Sequence, residues 1–197
     1  MKLPNEIVEI LDRQNGTIIS RDIAATDVSR TMLSRYVSEG LLERVSRGVY
    51  VSPTAIHDEL FALSKRSDRI VFSHATALFL HSLSERTPFV HTVTIRSIAT
   101  LPTTLRSGVK CFYVRDAIFD IGLITVKTQF GNVVPCYDME RTICDIIKGR
   151  SRMDDETFLS ALKNYVKSPA RNLSRLGEYA ARMGIERKVA SSVEALI

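Results

Sequence analysis

Apolar residues at the start of the chain recur at helical spacing. Leu3, Ile7, Ile10 and Leu11 fall on one face, and Asn15-Gly16 closes that helix with residues that tolerate left-handed backbone. Thr17-Ile18-Ile19 is short and β-branched, which suits an extended link. Ser20 stands where it can cap a second helix with Ile23 and Ala24 turned inward, and Thr26-Asp27 breaks that helix. A third helix, about 29–39, follows Ser29 as cap and ends at Gly40, with Met32, Leu33, Tyr36 and Val37 as its buried stripe. Leu41 to Val45 and Val49 to Val51 then alternate like strands around Ser46-Arg47-Gly48, a hairpin. Helix, helix, helix and hairpin in this order predict a winged helix-turn-helix over residues 1–53.

Beyond Pro53 the pattern changes. Ile56, Leu60 and Leu63 predict a helix with acids early (Asp58, Glu59) and bases late (Lys65, Arg66), as the helix dipole favours. Ile70-Val71-Phe72 leads to Ser73, a cap for a helix through Leu83. Strand-like runs lie at 90–96, 109–115 and 123–128 and around Val133-Val134, with Gly131-Asn132 as a turn. From Asp138 onward the periodicity is helical throughout. The reading is α+β: an N-terminal winged helix-turn-helix, then a mixed domain over 54–197 with a small sheet and a C-terminal helical bundle.

Charge enters as a question of distribution. The 197 residues carry a formal +5 and a pI near 9.2, which permits nucleic-acid binding. Residues 1–52 hold 7 bases against 7 acids, 53–147 hold 10 against 9, and 148–197 hold 10 against 6. The excess thus sits at the far end, so any DNA contact by the first domain must come from local arrangement. The third helix supplies one: opposite its apolar stripe stand Arg30, Thr31, Ser34, Arg35 and Ser38, small hydroxyls among guanidiniums. Arg can bond guanine through two donors and Ser or Thr can reach base or phosphate. Arg21, Ser29, Arg44 and the hairpin-tip Arg47 complete the candidate DNA-binding set. Lys163, Lys167, Arg171 and Arg175 form a possible second basic surface, because each pair is four apart on a helix.

No run nears the roughly 20 apolar residues of a membrane span, and MKLPNEIVEI lacks the apolar stretch of a signal peptide. Cys111, Cys136 and Cys144 are odd in number, widely spaced and without a CxxC pair, as expected of a reducing cytoplasm. His74, His81 and His91 have no acid or Cys at ligand spacing, so no metal is expected, and no phosphate-loop glycine signature is present, so no cofactor is expected. Asp138 and Glu140, beside Arg141, admit a metal-dependent DNA nuclease as the alternative reading. A structural account competes with it: Asp138 caps a helix, Glu140 lies in its first turn, and Arg141 pairs with Asp145 at i, i+4. The leading expectation is therefore a DNA-binding protein and no enzyme.

Three segments, SRTMLSRYVSEGLLERVSRGVYV (29–51), FSHATALFLHSLSERTP (72–88) and CYDMERTICDIIKGR (136–150), resemble the AbiEi antitoxins of bacterial abortive-infection systems. The likeness spans nearly the whole chain. It implies a cytoplasmic, two-part phage-defence protein. Its winged helix would bind inverted repeats in double-stranded DNA upstream of its own operon and repress it. Its C-terminal domain would counteract a nucleotidyltransferase-like toxin without forming a stable complex, as in a type IV toxin–antitoxin system. The resemblance places recognition-helix roles on Arg30, Thr31, Ser34 and Arg35, the wing tip on Arg47 and a phosphate contact on Arg21. It carries no catalytic residue.

Overall fold

The computed structural model describes residues 2–194. Two compact units divide the chain: 1–66 together with 127–134, and 67–126 together with 135–197. Among the described residues no helix is long and apolar enough to cross a membrane.

In the first unit, α1 (Asn5–Arg13) buries Ile7, Ile10 and Leu11 and ends where Asn15 (φ 48°) and Gly16 (φ 81°) turn the chain left-handed. The expected link is a strand, β1 (Thr17–Ile19). A single 3-10 turn (Asp22–Ala25) follows in place of a full helix. Ser20 does not cap it. Its backbone N–H instead donates to the Gly48 carbonyl at 2.8 Å, while the Asp22 carboxylate takes the Ile19 N–H. Four residues give no second turn to bury, so Ile23 points inward and Ala24 stays exposed. Next, α2 (Arg30–Ser38) begins with the Ser29 hydroxyl accepting from the Met32 N–H, the expected cap. The strands β2 (Glu43–Ser46) and β3 (Val49–Val51) form a hairpin, and β3 pairs with β1 on its other edge, order β1-β3-β2, all antiparallel. One core joins Ile7, Ile10 and Ile18 to Leu33, Tyr36 and Leu42.

The unit does not stop at the expected 53/54 boundary. It takes in α3 (Glu59–Arg66) and returns for residues 127–134. Asp58 explains why. It is 1% exposed, its Oδ1 accepts from the Phe61 N–H, and its Oδ2 accepts from Thr128 Oγ1 at 2.6 Å and Asn132 Nδ2 at 2.9 Å. Asn132 in turn accepts from Asn15 Nδ2 at 3.2 Å. Ile56 falls before the helix and is 71% exposed, so it anchors nothing there.

The second unit is built on a five-stranded mixed sheet, order β6-β5-β4-β8-β7. Its strands are β4 (Val71–Phe72), β5 (His91–Arg96), β6 (Val109–Val114), β7 (Leu123–Lys127) and β8 (Val133–Tyr137). β4 runs antiparallel to β5 and parallel to β8, and β5 runs parallel to β6 in register His91↔Val109. Between strands lie α4 (His74–Leu80) and the short α5 (Thr103–Arg106) and α6 (Asp116–Phe119). Ser73 makes no side-chain capping bond to α4. It is buried, and its Oγ accepts from Thr94 Oγ1 at 2.8 Å within a hydroxyl cluster with Thr76 and Thr92. The helical end is as the periodicity predicts: α7 (Met139–Lys148) capped by Asp138, α8 (Asp155–Lys167) by Asp154, α9 (Leu173–Met183) by Asn172, and α10 (Glu186–Glu194). α7 is the central one, sharing a core with Leu162, Tyr165, Leu176 and Val189 of the other three.

Candidate nucleic-acid interface

The apolar stripe of α2 fixes what the helix presents. Leu33 and Tyr36 are fully buried and Met32 and Val37 half-buried, which leaves Arg30, Thr31, Ser34, Arg35 and Ser38 exposed on the other side. The hydroxyls of Ser34 and Ser38 fold back onto the carbonyls of Arg30 and Arg35, at 3.5 and 2.8 Å, leaving their lone pairs outward. Arg35 Nε lies 3.0 Å from Glu39 Oε1, with the Arg side chain 62% exposed. An i, i+4 pair this open to water is worth about 0.3–0.5 kcal/mol, so a phosphate or guanine can displace it. Ser29 stays at the helix start as cap.

Beside α2 the hairpin ends in a two-residue turn, Arg47-Gly48, since Ser46 pairs with Val49. Gly48 has φ 77°, and a Cβ there would come 3.1 Å from Ser20 Oγ. Glycine is what lets the turn close against Ser20. Arg44 and Arg47 are both exposed on this hairpin, and Arg21 is exposed next to Ser20. The module is neutral in sum. Glu6, Glu9 and Asp12 are exposed along α1, and Arg30, Arg35, Arg44, Arg47 and Arg21 are exposed on α2, the hairpin and the turn before α2, where Asp27, Glu39 and Glu43 stand among them. The Ser20–Gly48 lock is the contact that periodicity missed. Its one sequence signal is the glycine directly after the tip arginine.

The other candidate groups lie in the second unit. Lys163, Lys167, Arg171 and Arg175 are all exposed, but Arg171 precedes the Asn172 cap of α9 and so, against the spacing, does not share a helix with Arg175. Arg175 is also a counter-ion: its Nη1 is 3.8 Å from Glu140 Oε2 and 4.0 Å from Asp138 Oδ2. The two carboxylates proposed for a nuclease are occupied structurally. Asp138 Oδ1 accepts from the Arg141 N–H at 2.8 Å and Oδ2 from the Tyr179 hydroxyl at 3.1 Å. Glu140 Oε1 accepts from the Asn172 N–H at 2.9 Å and from the Tyr165 hydroxyl at 3.2 Å. Glu140 is thus a buried tie between α7, α8 and α9, beyond its place in a first turn. Burial pushes the Asp138 carboxyl above its usual range. The histidines go to separate tasks. His81 Nε2 is 2.7 Å from the Tyr137 carbonyl, and the His74 ring lies flat on Phe112.

A search of curated proteins finds no match to the chain. Among solved structures, the chain is similar to the crystal structure of the RV2827C protein from Mycobacterium tuberculosis. The two share 14% identity at a TM-score of 0.59, over 98% of this chain and 82% of that one. That likeness is one of fold. A family model described as "Transcriptional regulator, AbiEi antitoxin" matches residues 5–53, the stretch that contains α2, its Ser29 cap and the Arg47 hairpin. Over that stretch the chain is similar to the AbiEi antitoxin transcriptional regulators.

Proposed function

We propose that the chain is an autorepressing antitoxin of the cytoplasm, non-enzymatic and without a cofactor. Residues 1–53 act as a winged helix-turn-helix: α2 enters the major groove of operator inverted repeats in double-stranded DNA, and the β2–β3 hairpin serves as the wing. Arg30, Thr31, Ser34 and Arg35 read base edges, Ser29 and Arg21 meet phosphate, and Arg44 and Arg47 hold the backbone or minor groove beside them. The rest of the chain counteracts a nucleotidyltransferase-like toxin encoded beside it, without a stable complex. Lys163, Lys167 and Arg171 add a second basic surface. The observation that carries the reading is the exposed Arg-and-hydroxyl side of α2 together with an arginine-tipped hairpin in the same module.

The test is a gel shift of the full chain on DNA from upstream of its own reading frame. A specific shift that weakens steeply with salt is expected, because phosphate contacts release counterions. Arg35→Ala should cost about 1–3 kcal/mol and relax sequence preference if its guanidinium bonds a guanine. An unshifted probe at low salt would overturn the repressor half. Incubating labelled DNA with Mg²⁺ in the same series separates repressor from nuclease, since a repressor leaves the strand intact. Co-expression with the neighbouring toxin tests the other half through recovery of growth.

A further inference from the structure

A groove in the second unit brings together three chemistries that the DNA reading does not use. His74 opens α4 in a left-handed conformation, φ 47°, uncommon outside glycine, asparagine, aspartate and histidine. Its ring is stacked on Phe112 of β6, centroids 3.6 Å apart and planes 10° from parallel. Two adjoining clefts open on either side of this pair and share His74, Phe112, Gly149 and Arg152. One, about 420 Å³, continues along Arg115, Lys148 and Ser151 to Asp145. The other, about 380 Å³, runs past Lys110 to Arg86 and Phe89, a fully exposed aromatic.

The first chemistry is flat and aromatic. The second is cationic: Lys110 and Arg152 stand 5.5 and 5.8 Å from the Phe112 ring centre, and Lys148, Arg115 and Arg152 are exposed along the first cleft. The third is an unmet acceptor. Asp145 lines the cleft and is 5% exposed; its Oδ1 takes the Arg141 Nε–H, while its buried Oδ2 and Arg141 Nη2 have no hydrogen-bond partner. A carboxylate in the wall, only half used by Arg141, favours a hydroxyl or amino donor near it. Asp145 would repel a bare phosphate near it. A suitable ligand therefore carries negative charge at one end, and a ring with hydroxyl or amino donors at the other. A cleft of this volume falls within the range that encloses a small molecule.

We propose that this groove binds a nucleoside triphosphate. Its phosphates lie against Lys148 and Arg152, its base lies by the His74–Phe112 stack, and a sugar or base donor reaches Asp145. The inference is independent of DNA binding by the first unit.

The experiment is isothermal titration of the full chain with ATP, GTP, CTP and UTP, each with Mg²⁺, and separately with inorganic triphosphate. At least one nucleotide should bind at one per chain, and more tightly than triphosphate. Lys148 and Arg152 are surface side chains, so the Lys148→Ala, Arg152→Ala double variant should keep the wild-type melting temperature and lose about tenfold or more in affinity. Asp145→Asn should alter which base is preferred. Should that variant fail to fold, the double variant still decides. Absence of binding by the wild type, equal binding of bare triphosphate, or unchanged affinity in the double variant would each overturn the proposal.

Discussion

Arg141 is fully buried yet charged, and its surroundings meet all of its guanidinium but Nη2. Nε bonds Asp145 Oδ1 at 3.0 Å, Nη1 reaches the carbonyls of Ile118 and Ile121 at 2.5 and 2.8 Å, and the guanidinium lies 4.2 Å over the Tyr137 ring. Removing one partner of such a buried pair leaves the other charge uncompensated. Arg141→Ala should therefore destabilise the second unit by about 3–5 kcal/mol in urea unfolding. Arg141→Lys keeps the charge but not the fork, and should fall between. His74 makes a different prediction. Burial lowers its pKa from 6.5 to about 4, so the folded ring is neutral where the unfolded ring takes a proton. Its share of stability is present above pH 6.5 and is lost as pH falls toward 4. Asp138, whose carboxyl is pushed up, works in the opposite sense as acid protonates it. Melting temperatures between pH 7 and 4 should decline, and His74→Asn should flatten that decline, because asparagine tolerates the left-handed backbone. Sequence spacing made the Asp138 cap and the Arg141–Asp145 pair legible. It could not show their burial, nor the bonds of Glu140 to Tyr165 and Asn172, because those partners arrive from 25 and 32 residues away.

Among elements, legibility tracked whether structure is set locally. The caps at Ser29 and Asp138 were visible because the hydroxyl or carboxylate and its N–H are three residues apart. The turns at Asn15-Gly16 and Gly48 were visible because few residues accept positive φ. The Asp22–Ala25 segment misled for the converse reason. A Ser followed by apolar residues looks like a helix start, but the segment is a single 3-10 turn that opens after Arg21 with no side-chain cap, and Asp22 bonds back to the Ile19 N–H. Ser29→Ala removes the cap that starts α2 and should cost about 1 kcal/mol of stability in the first unit. Loosening that first turn carries Arg30 and Thr31 with it, so DNA affinity in the gel shift should fall as well. Ser29→Asp, which retains an acceptor, should restore stability but not affinity, because it places a carboxylate beside phosphate.

At the level of the whole molecule the order of the two parts was legible and their border was not. Composition shifts at Pro53, but the first unit gathers α3 and residues 127–134 through Asp58. Hydrogen bonds between residues 70 or more apart leave no local trace in sequence. Asn132→Ala should cost about 1.5–3 kcal/mol, since it takes a donor from a buried carboxylate. Hydrogen exchange should speed up in α3 first. A fragment of residues 1–66 loses both the Thr128 and Asn132 donors at once and should unfold at lower denaturant than the same residues in the full chain. Comparable exchange rates in the two would show that Asp58 is satisfied without them.

The return of residues 127–134 bears on how such a protein can be rearranged. Because the polypeptide passes from one unit to the other and back, no single scission separates them. A graft made by joining residues 1–53 to a foreign effector would leave behind Asp58 and the stretch that answers it. Exchange of DNA specificity between relatives is then easiest by repainting the outer side of α2 in place, with the backbone kept whole.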